Sequence, residues 1–179
     1  MGIPQPPPHA KLITGLLATS DGLLEEAATA LVERFGPIEA RSDAMPWIAS
    51  TYYADEMGPA LRRQFLSFSR LCPQDDLVAV KHATNALEAR WGGPTRRRIN
   101  IDPGYVTATK LVLATTKDAA HRIYLGYGLF AEVTLEFQNG SFRAGAHTYP
   151  DYAAQEAVAF FNAARTAYLR ALRGTRGCR

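Results

Sequence analysis

KLITGLLATSDGLLEEAATALVERFGP, residues 11–37, sets the pattern for the chain. Lys11 to Ala18 is almost wholly apolar, as a buried strand is. The spacing then becomes helical: from about Asp21, Leu24, Ala27, Ala28, Leu31, Val32 and Phe35 share one face. Ser20 or Asp21 can cap the free N–H groups of that helix, and Gly36-Pro37 ends it.

The flanking sequence continues the series. Ile38 to Ser42 reads as a short second strand, and residues 43–63 as an irregular aromatic and acidic insertion holding Trp47, Tyr52, Tyr53, Asp55 and Glu56. Gln64 to Leu71 is a third strand. A second helix starts near Pro73-Gln74-Asp75-Asp76, buries Leu77, Val80, Thr84, Leu87 and Trp91, and stops at Gly92-Gly93-Pro94. Arg98 to Asp102 is a fourth strand. The order β-α-β-β-α-β predicts an α+β protein with a ferredoxin-like βαββαβ core.

Antiparallel hairpins and a C-terminal helix extend this core. Lys110 to Thr116 reads as a buried strand. Asn139-Gly140 is a two-residue type I′ turn that sets Phe137 opposite Phe142 and Glu136 opposite Arg143. A three-residue loop at Gly126-Tyr127-Gly128 pairs Ile123 with Ala131 and Arg122 with Glu132, and is preferred because a two-residue loop would set Arg122 against Val133. The last helix runs from about Ala153 to Leu172 with Ala157, Phe161, Ala164, Tyr168 and Leu172 on one side.

Length and composition suit one domain, residues 11–173, between a proline-rich leader (1–10) and a basic tail (174–179). A chain of 179 residues buries roughly 70% of its unfolded surface. The leader lacks the charged start and apolar stretch of a secretory signal, and no apolar run reaches membrane-helix length. Cys72 and Cys178 are too few for a disulfide framework, so a reducing cytoplasm is expected. Residues 94–179 carry 12 basic and 6 acidic side chains, against 8 and 11 in residues 1–93. With 16 Arg to 4 Lys, the excess reads first as a solvated helix face and an Arg-rich tail. Nucleic acid ranks last among partners, because no aromatic-rich RNA-binding strand accompanies Arg96-Arg97-Arg98.

Familiar chemistry is excluded by spacing. No phosphate-cradling Gly-x-x-x-x-Gly-Lys loop exists, and Gly126 and Gly128 sit in a hairpin with no helix after them. Thr116-Lys117-Asp118 lacks the residue that a guanine-reading motif places between Lys and Asp. His82-Ala83-Thr84 is a single copy on a helix, where paired His-x-Thr phosphoesterase motifs need two on strands; it reads as a surface histidine beside a buried threonine. His9, His82, His121 and His147 have no zinc-ligand spacing, and no metal or cofactor is specified.

What remains is a polar constellation. Alternation sets Ile99 and Ile101 on one face of the fourth strand and Arg98, Asn100 and Asp102 on the other. Asp102-Pro103-Gly104-Tyr105 then predicts a sharp turn of type II. Thr115, Thr116, Lys117, Asp118, His121 and Arg122 crowd into the next connection. There Lys and Arg would hold a phosphate or carboxylate, His would move a proton, and Asp would orient one of them. The competing structural reading makes Asp102 a turn residue and Arg122 the partner of Glu132. Thr148 to Tyr152 is a third candidate segment, although Asp151 could equally cap the last helix.

On Tyr52-Tyr53, Glu56-Met57-Gly58, Asn100 to Tyr105, Lys110 to Ala114, Thr116-Lys117-Asp118, His121 to Leu125, Ala131-Glu132-Val133 and Thr148 to Tyr152, the sequence resembles domain-of-unknown-function family 4416. This family comprises short bacterial and archaeal proteins, some labelled GTP-binding. The resemblance covers nearly the whole chain after the leader and brings no established chemistry. The GTP label finds no support in the motifs above. Three functions are carried forward. The first is binding or turnover of a small anionic ligand: Asp102, Lys117 and His121 would be catalytic, with Asn100, Lys110, Thr116, Asp118, Arg122, Tyr53 and Glu56 in contact with it. Next is a non-catalytic regulatory or assembly module that self-associates through the aromatic insertion. RNA binding is the third.

Overall fold

The computed structural model describes residues 2–47, 57–58, 60–92 and 97–176. Its strands are β1 (Ala10–Ala18), β2 (Ile38–Arg41), β3 (Met45–Pro46), β4 (Arg62–Cys72), β5 (Ile99–Val106), β6 (Lys110–Thr115), β7 (Ile123–Gly126), β8 (Leu129–Gln138) and β9 (Ser141–Ala144). Helix α1 is Asp21–Phe35 and α2 is Leu77–Glu88; the short α3 (Pro150–Ala153) precedes the long α4 (Gln155–Arg176). The nine strands of the described residues join one antiparallel sheet in the order β2-β4-β1-β5-β6-β8-β7, with β3 also on β4 and β9 also on β8.

Local signals set the first elements. The Ser20 hydroxyl accepts from the Leu23 N–H at 3.2 Å, capping α1. Gly36, at φ 93°, closes that helix by donating to Val32. The insertion is less irregular than its composition implies: Met45–Pro46 pairs with β4, and β4 begins at Arg62. Tyr52, Tyr53, Asp55 and Glu56 lie outside the described residues.

Each face of the sheet is covered by helix. Leu12, Leu16, Leu66, Phe68, Ile99 and Ile101 pack against Leu24, Ala27, Ala28 and Leu31 of α1 and Val80 and Leu87 of α2. On the other face Ile13, Phe65, Val106, Leu111, Leu113 and Leu135 pack against Tyr152 of α3 and Ala157 and Phe161 of α4. The alternation expected for Ile99, Asn100, Ile101 and Asp102 therefore holds. No helix among the described residues is long and apolar enough to cross a membrane.

β5 overturns one expectation. Asp102-Pro103-Gly104-Tyr105 makes no turn; the strand runs straight through it to Val106, paired with β1 throughout. β6 joins only from Gly104 onward, and among the described residues the first half of β5 has no strand on that side. Side chains of α2 fill the gap: Glu88 accepts from the Ile101 N–H at 2.7 Å, and the buried Lys81 ammonium donates to the Ile101 carbonyl at 2.9 Å. Pro103 has the same strand parity as Ile101, so its missing N–H falls on the side where no strand asks for one. Gly104 serves a close approach, since a Cβ there would run into the Val112 carbonyl of β6.

The hairpin registers agree with expectation, by one different route. Asn139 (φ 50°) and Gly140 (φ 85°) form the turn, and Phe137 meets Phe142 and Glu136 meets Arg143. Ile123 does stand opposite Ala131, but through a two-residue turn at Tyr127-Gly128 with a bulge near Leu125 in place of a three-residue loop. The C-terminal helix is broken: α3 stops at Ala153, Ala154 is extended, and α4 buries Ala157, Phe161, Ala164 and Tyr168. Asp151 caps nothing; its carboxylate is used elsewhere.

Candidate functional site

A glycine in the middle of β1 opens the sheet for a polar cluster. A Cβ at Gly15 would collide with the Tyr152 hydroxyl and lie 3.2 Å from the Arg63 guanidinium, so only glycine leaves both in place. Gly15 stands opposite Phe65 of β4 and Asp102 of β5. Across this gap the buried Arg63 donates through Nη1 to Asp102 at 3.3 Å and through Nε to Asp151 at 2.6 Å, with Nη2 paired to Asp151 as well. Its guanidinium lies 5.0 Å from the centre of the Tyr152 ring and 5.6 Å from that of Trp47. Arg63 thus clamps the first turn of α3 to the sheet.

A second cluster lies where β6 hands over to β7. Buried Glu132 of β8 accepts from Arg122 Nε at 2.8 Å and lies 3.1 Å from His121 Nε2. Arg122 also donates to the Lys117 carbonyl at 2.9 Å and to the Tyr149 hydroxyl at 2.7 Å. A carboxylate only accepts, so His121 Nε2 is the donor of this pair. The His121 ring stacks on His147, centroids 4.1 Å apart and planes within 4°.

The clusters meet at two tyrosines, Tyr149 and Tyr152, whose rings lie 6.2 Å apart. Burial, then the nearby Glu132 carboxylate, pushes the Tyr149 hydroxyl up to about 12, against the pull of Arg122; the fields of Asp102 and Asp151 act on it too. Burial likewise raises Tyr152 well above its ordinary value. Both phenols stay neutral at physiological pH. The result is one seam, from Arg63 and Asp102 through Tyr152 and Tyr149 to Arg122, Glu132 and His121.

The expected site residues divide accordingly. Asp102, His121 and Arg122 belong to the seam, Arg122 as scaffold with all three nitrogens engaged. Lys117 contributes its carbonyl and is exposed on the same loop as Thr116 and Asp118. Asn100 lies one step along β5 from Asp102; Oδ1 accepts from Arg97 at 2.8 Å, while buried Nδ2 has no partner among the described residues. Lys110 does not join them. It opens β6, at the end opposite Thr115, about 17 Å away at about 3.4 Å per residue. Tyr53 and Glu56 lie outside the described residues, although flanking Trp47 and Met57 pack on Leu17, which stands opposite Arg63 and Asn100.

The seam also holds residues the sequence did not single out: Gly15, Arg63 and His147. Arg63 could have been flagged as a cation on the same strand face as Phe65, at the start of a buried strand. Among the described residues no group of three His, Cys, Asp or Glu is placed to hold a metal ion.

Fold and seam together define an α+β protein with a nine-stranded antiparallel sheet and a polar cluster under its C-terminal helices. Residues 8–168 match the model of a family described as Domain of unknown function (DUF4416), and the chain belongs to that family. No curated protein and no solved structure gives a significant match.

Proposed function

We propose that the chain binds a small anionic ligand of phosphate or carboxylate type at the open side of this seam, with His121 exchanging a proton with it. One observation carries the reading. Asp102 lies within β5 and His121 lies just before β7, yet each is fixed by a buried charged side chain, Arg63 and Glu132, and the two belong to one run of contacts. A histidine held by a buried carboxylate is the arrangement general acid–base chemistry uses. Arg63 and Arg122 hold internal carboxylates, and Lys117, exposed on the loop beside His121, is the cation assigned to the ligand. Asp102 accepts hydrogen bonds from ligand hydroxyls.

Thermal-shift measurements test this with inorganic phosphate, nucleotides and small carboxylates as probes. A ligand of the seam raises the melting temperature of the wild type and does so less for Asp102→Ala, Lys117→Ala and His121→Ala. Equal stabilisation of all four proteins removes the site from consideration.

Two finer assignments belong with this proposal. The order β5-β1-β4-β2, every neighbouring pair antiparallel, supports a ferredoxin-like origin for the N-terminal half. The small number of cysteines supports a cytoplasmic setting.

A further inference from the structure

The sheet ends in outer strands, and sheets protect such edges with charge or proline. β2 carries Glu39 and Arg41, β3 carries Pro46 and β9 carries Arg143. β7 alone among the described outer strands has neither, only the bulge near Leu125: it reads Ile123-Tyr124-Leu125-Gly126. Its side chains are also out of place in water. Ile123 is 70% exposed and Tyr124 61%, with Leu125 and the neighbouring Val133 of β8 exposed as well.

We infer that β7 is a self-association edge, paired antiparallel with β7 of a second copy to continue the sheet across a two-fold axis. Charge selects this occupant. A two-fold axis brings each residue close to its own copy, and only an uncharged strand meets itself without like-charge repulsion. Parity then fixes the register. Directly opposed residues must share a face, so the axis passes beside a residue and not between two. Centred on Tyr124, it sets Tyr124 against Tyr124 of the second copy, and Ile123 against Leu125 twice on the opposite face. The bulge near Leu125 gives Gly126 the facing of Leu129, so regular pairing ends there. Shifting the centre to Leu125 would leave Tyr124 without a partner on its own face. The Leu125 side lies beside a cavity of about 390 Å³ lined by Leu77, Tyr105 and Ala131 together with the polar Gln74 and Asp75.

One short strand pair buries less than the ~800 Å² per partner of a standard interface, so the dimer is weak, with Kd on the order of 10–100 µM. Sedimentation velocity on the full chain, from about 5 to 500 µM, tests it. Wild type passes from monomer to dimer over that range. Tyr124→Lys sets two lysines face to face and raises Kd at least about tenfold, whereas Tyr127→Lys, in the turn beyond the pairing, leaves it unchanged. Circular dichroism confirms both variants fold, since both side chains are exposed in the monomer. A wild type monomeric to the top of the range overturns the inference. So does a dimer indifferent to Tyr124→Lys, or one broken equally by Tyr127→Lys.

Discussion

Arg63 holds two carboxylates inside the protein, and a buried ion pair is dangerous to break from one side. Arg63→Met would leave Asp151 charged and unpaired under α3. We expect a loss of about 3–5 kcal/mol of stability, measured by urea unfolding. Gly15→Ala attacks the same contact from the sheet. Its methyl would displace the Tyr152 hydroxyl, an overpacking worth about 1–3 kcal/mol. Tyr149 offers a direct optical check: its ultraviolet titration should centre near 12, above the ordinary tyrosine value. Residues of this kind were only partly legible. Asp102 and His121 are visible because polar side chains stand out beside a strand and in a short loop. Gly15 and Arg63 are not, because each acquires meaning only from residues on other strands.

Among the elements, β5 teaches most. Local chemistry foretold α1 and the Asn139-Gly140 hairpin, whose caps and turn lie within a few residues of each other. Pro103-Gly104 misleads for the opposite reason. Its missing N–H and missing side chain answer to α2 and β6, which local reading cannot see. Glu88 of α2, standing in for a strand, has a measurable signature. Burial raises its pKa above 4.5, against the pull of Lys81 and the Ile101 N–H, so the folded chain takes up this proton before the unfolded chain does. Its contribution to stability is full below about pH 4.5 and is lost as pH rises through the folded value. Glu88→Gln removes that dependence. The stability of wild type minus that of Glu88→Gln should therefore fall from pH 4 to pH 7 in paired urea titrations; a difference that rises would contradict the assignment.

For the molecule as a whole, the helix–sheet–helix layering explains why the seam exists. α1 and α2 close one face with aliphatic packing, whereas the other face is closed by α3 and α4, whose first turn brings Tyr149, Asp151 and Tyr152 over strand residues that are not apolar. Much of the element order could be anticipated from periodicity. The single nine-stranded sheet could not, because strand neighbours are set by pairings far apart in the chain. The central claim is that the Asp102–His121 seam is a ligand site. Its most direct test follows the imidazole signals of the four histidines by NMR during a titration with inorganic phosphate at constant ionic strength. The account predicts saturable shifts at His121 and His147 with His9 and His82 unmoved. Four histidines shifting in parallel, or none shifting, would contradict it.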